Sequence, residues 1–391
     1  MAALFNGVDP MTIKDLPLNK SEEILQKLIR TNTENPPGNE KDAVDVILDY
    51  FEKYDLEKNI IDHGDNRASL YLKIKGISDK SIAFIGHIDT VPVENKDGWE
   101  LDPFDAKIVG DYIYGRGSAD MKGGVAAMIT AALHILDNNI IPKKTLYFCF
   151  TADEESGGLG AKALIKENIL KNTEFIFIPE PTGCQLGLAE KGALWLKITA
   201  HGKPAHASMP DNGVNAIENI FSFISSLKNE ILDDKKHYLL GKSSAEITTI
   251  NGGIKTNIIP ELAEATVDIR TIPGDKHDLI IEKANKLIEK FKEKSGVEIR
   301  IKIENNRPPL KVKENDDNII KLKEIFADYK FNPNIKGLNF YTDASQIIPE
   351  LNCPFVIFGP GEDSMAHQTN EKTKLKSVKE TARVFLEYIL R

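Results

Sequence analysis

The sequence predicts an α/β fold: a mostly parallel sheet flanked by helices, with a ferredoxin-like α+β domain inserted into it. Two patterns indicate this class. Short apolar strands alternate with helices in the outer parts of the chain, and a separate β-α-β-β-α-β order fills its middle. The chain has 391 residues, too many for one ordinary core. We therefore predict a first domain of residues 1–193 and 306–391 and an inserted domain of residues 194–305.

The first domain begins with two predicted helices, LNKSEEILQKLIRT and AVDVILDYFEKY, separated by the turn-rich segment TENPPGNE. Four strand-like runs follow, ASLYLKI, SIAFIGHID, TLYFCFTA and EFIFIPE, with the helix GGVAAMITAALHIL among them. Such alternation of buried strands and helices is typical of a parallel sheet. After the inserted domain, NNRPPLKVKEN is expected to return the chain to this sheet, which a helix–strand–helix stretch completes.

The middle of the chain contains a complete set of elements of its own. In order, these are the strand LWLKITAHG, the helix VNAIENIFSFISSLKNEIL, the strands AEITTINGG and AEATVDIRT, the helix HDLIIEKANKLIEKFKEK and the strand VEIRIKIE. This order predicts the split ferredoxin-like arrangement.

The composition excludes several classes of function. A formal net charge of −9 argues against a nucleic-acid or anionic-membrane partner. No apolar run approaches the roughly 20 residues that a bilayer span needs. The N-terminus has no basic region of the signal-peptide type, and Met11 is an alternative start. The three cysteines show no metal-like spacing, and reduced thiols favour a cytoplasmic protein.

The segment IGHIDTVP places His87 at the end of a buried strand, with Asp89 two residues further on. Side chains at i and i+2 share one face of a strand. Asp89 can therefore hold one ring nitrogen of His87 while the other nitrogen binds a metal. A structural hydrogen-bonded pair is the alternative.

The segment GRGSADMKGG combines four glycines with Asp120, which stands just before a predicted helix. Asp120 is either a ligand or the N-cap of that helix. A phosphate cradle is a third interpretation, but the glycine spacing matches neither a P-loop nor a dinucleotide-binding turn.

Glu154 and Glu155 lie side by side in FTADEESGGLGA, where another strand leaves the sheet. Neighbouring side chains on an extended chain point in different directions, so one can bind a metal while the other faces a substrate. Adjacent buried carboxylates are costly without cations or shared protons. A solvated acidic turn is the alternative.

Two further polar residues follow predicted strands: Glu180 in FIFIPEPT and His367 in FGPGEDSMAHQTNE. Ligands of open α/β sheets bind at the carboxyl ends of the strands. We therefore expect these two side chains to converge with His87, Asp120 and Glu155. Nitrogen and oxygen ligands without cysteine suit zinc, with cobalt or manganese as alternatives.

These motifs together resemble the M20 metallopeptidases, the group of acetylornithine deacetylase, succinyl-diaminopimelate desuccinylase, aminoacylase-1 and glutamate carboxypeptidase. The resemblance covers nearly the whole chain. It rests on ordered segments: GHIDTVP, GRGSADMKGG, TADEESGG, PEPT, GKPAHAS, NIIP, DIRTIPG and GPG followed by AHQTNE. It implies a dinuclear-metal catalytic domain and an inserted lid through which two subunits pair.

The resemblance also implies roles for individual residues. Asp120 matches the carboxylate that bridges two metal ions. His87 and Glu180 match the remaining ligands of one ion, and Glu155 and His367 those of the other. Glu154 resembles the general base, and Asp89 resembles the residue that orients the first histidine.

Three residues of the inserted domain also match functional positions of the family. His206 resembles a lid histidine that reaches the partner subunit's site and stabilises the oxyanion. Asn257 and Arg270 match residues that hold the substrate's carboxylate. Where some desuccinylases have a glycine-rich stretch, this chain has FYTDASQ, residues 340–346, so the pocket for the acyl group cannot be assigned by resemblance.

The function we expect is therefore a cytoplasmic, homodimeric metallo-amidohydrolase of amino-acid biosynthesis that removes the acyl group from a small N-acyl amino acid. A metal-activated water and a glutamate base would perform the hydrolysis. A carboxypeptidase or dipeptidase with the same site is the first alternative, and a non-catalytic binding protein is the second. A lost ligand or base would mark the second alternative, and none is missing from the sequence.

Overall fold

The structure is a computed structural model that describes residues 18–295, 297–331 and 334–391. Residues 1–10 and the alternative start at Met11 lie outside this part of the chain. The chain divides into two compact units. The first comprises the described residues up to Leu188, together with Val312–Lys336 and Thr342–Arg391; the second comprises Ala189–Lys311 and Gly337–Tyr341.

The helices, in chain order, are α1 Leu18–Arg30, α2 Glu40–Phe51, α3 Lys122–Asp137, α4 Leu159–Lys166, α5 Ala216–Ile231, α6 His277–Ser295, α7 Asp317–Asp328, α8 Ala344–Leu351 and α9 Leu375–Leu390. The strands are β1 Glu57–Gly64, β2 Arg67–Ile74, β3 Ser78–His87, β4 Ile108–Val109, β5 Tyr112–Tyr114, β6 Lys144–Thr151, β7 Thr173–Pro181, β8 Leu186–Glu190, β9 Gly192–His201, β10 Ser244–Gly252, β11 Leu262–Thr271, β12 Glu298–Arg307, β13 Leu310–Lys311, β14 Ile335–Leu338, β15 Phe355–Gly359 and β16 Lys372–Lys374. None of these helices is both long and apolar enough to cross a membrane.

The sheet of the first unit confirms the α/β class. Its strands lie in the order β1-β2-β6-β3-β7-β15-β8. The central strands β6, β3, β7 and β15 run parallel, whereas β1, β2 and β8 pair antiparallel at the two sides, so the sheet is mixed. The sequence analysis did not predict β1, because only one of its eight residues is buried and an apolar alternation is absent.

Aromatic side chains fill the core beneath the parallel strands. The ring of Phe84 on β3 stacks on Phe148 of β6 and Phe177 of β7, with centroids 4.9 and 4.8 Å apart. Phe385 of α9 packs edge-on against Phe84 at 5.0 Å. This packing holds the three strands in one register, so that their carboxyl ends meet at a common edge.

Helix α3 lies against these strands almost without exposed surface, since fourteen of its sixteen residues are buried. Small residues permit a very close approach: a Cβ at Gly124 would lie 2.1 Å from the carbonyl oxygen of Pro179 on β7. Glycine is therefore required at position 124. The close contact also places the residues just before α3 beside the end of β7.

The second unit has the predicted element order, β9-α5-β10-β11-α6-β12. Its four-stranded antiparallel sheet is ordered β10-β11-β9-β12, the ferredoxin-like arrangement. Helices α5 and α6 cover one face, where Leu194, Leu196 and Ile198 of β9 pack against Phe223 of α5. The alternation of buried and partly buried residues along β9 explains why the sequence pattern identified this strand.

Candidate metal centre

The candidate metal ligands lie at the carboxyl ends of the parallel strands of the first unit. His87 is the last residue of β3, and Glu180 is the penultimate residue of β7. Glu155 lies four residues after the end of β6, and Asp120 two residues before α3, while His367 lies in the segment that follows β15. Parallel strands in register bring these ends together, although the five residues span 280 positions of the sequence.

The Asp120 carboxylate lies between the two imidazoles. Its Oδ1 is 3.1 Å from Nε2 of His87, and its Oδ2 is 3.4 Å from Nε2 of His367. Nε2 of His87 is also 3.6 Å from Oε1 of Glu180, and Nε2 of His367 is 3.0 Å from Oε2 of Glu155. One carboxylate therefore reaches both halves of the site, each half completed by a histidine and a glutamate.

Two groups of side chains each place their ligand atoms within 4.8 Å of one another: His87 with Asp120 and Glu155, and His87 with Glu154 and Glu180. Glu154 thus lies next to the candidate ligands themselves. The side chains of His87, Asp120, Glu155 and Glu180 are at most 10% exposed, whereas that of His367 is 51% exposed. The site is therefore closed on the side of the sheet and open on the side of His367.

The site carries an excess of buried negative charge. Burial, together with the neighbouring charges of Asp120 and Glu154, raises the pKa of Glu180 well above its usual value. Hydrogen bonds to Asp120 and Glu155 raise the pKa of His367 to about 10. Burial raises the pKa of Glu155 as well. Each shift reflects a demand for positive charge, which a divalent cation would meet, and the imidazole and carboxylate donors fit zinc, cobalt or manganese.

Asp89 contacts other parts of the site in addition to His87. Nδ1 of His87 lies 3.0 Å from the backbone carbonyl oxygen of Asp89 and 3.6 Å from its Oδ1, which is beyond hydrogen-bond distance. The carboxylate of Asp89 instead accepts the backbone N–H groups of Glu154 and Glu155, both at 3.2 Å. Asp89 therefore holds the turn that carries Glu154 and Glu155, besides contacting the ring of His87 through its main chain.

The comparison with family models decides the classification. Residues 83–391 match the model of Peptidase family M20/M25/M40. The chain belongs to this family. It is accordingly a metal-binding hydrolase that acts on amide bonds, as the sequence analysis predicted.

Individual relatives of this M20 chain carry different names. It is 31% identical, over 89% of its length and 91% of the relative, to a probable succinyl-diaminopimelate desuccinylase of Staphylococcus aureus strain MRSA252. Its structure resembles aminopeptidase PepT of Bacillus cereus, with a TM-score of 0.79 at 23% identity over 96% of this chain and 98% of the other. It also resembles the Bacillus subtilis YXEP protein, described as a dinuclear metal-binding M20 peptidase, with a TM-score of 0.74 at 18% identity over 95% and 97%.

The predicted lid residues of the M20 chain lie in the second unit. His206 is exposed, and its Nδ1 accepts the backbone N–H of Ser208 at 3.2 Å. A bridge between His206 and Ile258 places Asn257 beside it, in the segment before β11. Arg270 lies near the other end of β11, where Nε and Nη2 donate to Asp268 at 3.2 and 2.8 Å. Leu262 and Arg270 are eight residues apart on one strand, about 27 Å, so Asn257 and Arg270 are not neighbours within one chain.

The structure adds Glu371, which the sequence analysis quoted in a motif but assigned no role. This fully buried carboxylate accepts Nη1 of Arg116 at 2.8 Å and the backbone N–H groups of Gly117, Ala119 and Asp120 at 2.9, 2.7 and 3.1 Å. Since His367 lies four residues before Glu371, this residue ties the His367 segment to the loop that carries Asp120. An acidic residue four positions after a predicted ligand was the only signal in the sequence.

We expect Glu371→Gln to lower the free energy of unfolding by about 3–5 kcal/mol, because the neutral amide removes the buried carboxylate partner of Arg116. The amide would also direct an NH₂ group towards backbone N–H donors. Denaturant unfolding measures the effect. The control is Glu324→Gln, an exposed carboxylate on α7, for which a change within about 0.5 kcal/mol is expected. Equal stability losses in the two variants would contradict the role of Glu371.

Proposed function

We propose that this M20 hydrolase is a deacylase of the acetylornithine or succinyl-diaminopimelate type, removing the acyl group from a small N-acyl amino acid. The position of the Asp120 carboxylate, 3.1 Å from one imidazole and 3.4 Å from the other, is the observation that carries the hydrolytic part of the proposal. The choice of substrate is supported by the name of the Staphylococcus aureus relative, which aligns over most of both chains.

The proposed site holds two divalent ions, zinc by preference and cobalt or manganese as alternatives. His87 and Glu180 would hold one ion, Glu155 and His367 the other, and Asp120 both. The pairing of each histidine with one glutamate, at 3.6 Å for His87 with Glu180 and 3.0 Å for His367 with Glu155, supports this division. A two-metal centre in the YXEP protein, which shares the fold, is consistent with it.

The chemistry divides between the ions and the protein. When bound, the ions supply Lewis-acid polarisation of the amide carbonyl and activation of the attacking water. Glu154 accepts the proton of that water and delivers it to the leaving amine. Its position supports this role: the side chain is nearly buried, and Asp89 holds the backbone N–H groups of Glu154 and Glu155.

We also propose that residues 194–305 form a lid through which two chains pair. In this arrangement His206 donates a hydrogen bond to the oxyanion of the partner's substrate. Arg270 and Asn257 contact the carboxylate of the substrate. Their positions at opposite ends of β11 imply that the two would reach one substrate only from different chains, which favours a homodimer. The three free cysteines support a cytoplasmic location.

A metallo-carboxypeptidase or dipeptidase is the second candidate, since a metallo-carboxypeptidase of Sulfolobus solfataricus and a dipeptidase of Saccharomyces cerevisiae share this fold. The test is hydrolysis of acetylornithine, succinyl-diaminopimelate, acetyl-lysine, acetyl-methionine and several dipeptides by the zinc- and cobalt-loaded protein. We expect the highest kcat/KM for an acyl amino acid. A dipeptide with the highest value would reject the deacylase assignment in favour of the second candidate.

Removal of the metal by EDTA is expected to abolish hydrolysis, and added zinc or cobalt should restore it. The melting temperature should fall as well, because the buried carboxylates then repel one another without a cation. The control is a sample treated with EDTA already saturated with zinc, which should keep its activity. If metal analysis finds only background metal in the treated protein and hydrolysis is undiminished, the metal-dependent mechanism is rejected.

A further inference from the structure

The carboxylates of Asp89 and Asp153 hold the turn that carries Glu154, and they in turn accept hydrogen bonds from Asn35 and Arg67. We propose that Asn35, Glu40 and Arg67 are positioning residues for Glu154, acting through Asp89 and Asp153. These five residues are called the support network below. The proposal rests on the proposed function, because it assumes that Glu154 is the general base.

Asp153, the residue before Glu154, is held in place by several hydrogen bonds. Asp153 has a φ of 70°, a left-handed conformation that is uncommon for a residue with a side chain. Its Oδ1 accepts Nη2 of Arg67 at 2.8 Å and Nδ2 of Asn35 at 3.0 Å, and its backbone N–H donates to Oε1 of Glu40 at 3.2 Å. Three contacts thus hold the backbone of this turn in an otherwise unfavourable conformation.

Asn35 joins the two sides. Its Nδ2 donates to Oδ2 of Asp89 at 2.9 Å as well as to Asp153. Asp89 in turn accepts the backbone N–H groups of Glu154 and Glu155. The side-chain amide of Asn35 therefore uses both of its hydrogens, one to the carboxylate of Asp153 and one to that of Asp89. Asp153 precedes Glu154, and Asp89 binds the backbone N–H of Glu154.

The carboxylates of the support network are buried, so their charge needs hydrogen-bond donors or a cation nearby. Glu40, Asp89 and Asp153 are at most 5% exposed, and Asn35 is 6% exposed. Arg67 is the cation that contacts two of these carboxylates, with Nε and Nη2 on Glu40 at 3.1 and 2.6 Å and Nη2 also on Asp153. Loss of Asn35 would leave Asp89 and Asp153 without a shared donor, which disfavours the observed geometry of the turn.

The support network also gives a role to the segment TENPPGNE, which the sequence analysis interpreted only as a turn between two helices. This segment supplies Asn35 directly and Glu40 as the first residue of α2. A general base acts only within hydrogen-bond reach of the proton it abstracts. A displacement of about 1 Å can cost about 100-fold in rate, so residues that fix the turn are expected to affect kcat.

The first test is Asn35→Ala. We expect kcat to fall about 10–100-fold, the range for loss of an orienting contact, with KM within about twofold and metal content unchanged. Hydrogen exchange of the peptide covering residues 150–158 should accelerate. Asn32→Ala, which changes an exposed asparagine just before the same segment, is the matched control and should leave kcat and exchange unchanged. Unchanged kcat in Asn35→Ala would overturn the proposal.

A double-mutant cycle with Glu154→Ala separates positioning from a general loss of structure. If Asn35 acts through Glu154, adding Asn35→Ala to Glu154→Ala should hardly change the residual rate. A further full loss would overturn the proposal while leaving Glu154 as the base. Wild-type turnover by Glu154→Ala alone would instead reject the base assignment itself. Arg67→Lys serves the same cycle if Asn35→Ala fails to fold, and it should lower kcat because lysine cannot span Glu40 and Asp153 with a guanidinium fork.

Discussion

Glu154→Ala is expected to lower kcat by about 100-fold or more while the protein keeps its full complement of metal. A general base is needed only for proton transfer, so its removal should spare substrate binding and leave KM nearly unchanged. Metal analysis and steady-state kinetics on the same preparation measure both quantities. This combination of lost turnover and retained metal distinguishes a base from a metal ligand.

The structure makes metal analysis necessary, because a carboxylate oxygen of Glu154 lies within 4.8 Å of the ligand atoms of His87 and Glu180. If Glu154 were a ligand, its removal would lower metal content along with the rate. Glu155→Ala is the matched variant: it removes the neighbouring carboxylate, which we propose as a ligand, and should lose metal. Turnover by Glu154→Ala at the wild-type rate would remove Glu154 from the mechanism.

His206→Ala is expected to lower kcat by about 100–1,000-fold, the usual cost of losing one donor to an oxyanion. Nδ1 of His206 lies 2.7 Å from Oγ and 3.2 Å from the backbone nitrogen of Ser208, so Nε2 is the ring nitrogen that we propose to contact the oxyanion. Because the side chain is exposed, its removal should leave the fold and the proposed dimer intact. Sedimentation velocity checks the oligomeric state, and steady-state kinetics the rate.

His201→Ala provides the control, since His201 is another lid histidine, at the end of β9, to which no role is assigned. We expect its kcat to match that of the wild type. An unchanged kcat in His206→Ala would discard the oxyanion role. Mixing inactive His206→Ala with inactive Glu154→Ala tests whether the histidine acts across subunits, because hybrid dimers would then contain one complete site and regain activity.

The strand pattern was sufficient to locate the candidate ligands. His87 and Glu180 end buried apolar runs, and the parallel order of those runs predicts that their carboxyl ends converge. By contrast, the edge strand β1 and the short strand β8 were missed. A polar edge strand has no periodic apolar face to detect, and a five-residue run buried throughout offers no alternation.

The amino-acid sequence alone determined the α/β class, the inserted ferredoxin-like unit and the membership of the M20 family, because hydrophobic periodicity and ordered motifs are local properties. Only the tertiary structure showed that the carboxylate of Asp120 faces the imidazoles of both His87 and His367. It also showed that Glu371, Asn35 and Arg67 hold the loops around the site. Each of these residues is 27 to 255 positions away in the sequence from the groups it contacts. Which buried carboxylate meets which donor depends on how strands and loops pack in three dimensions, since buried polar groups must find partners wherever the fold supplies them.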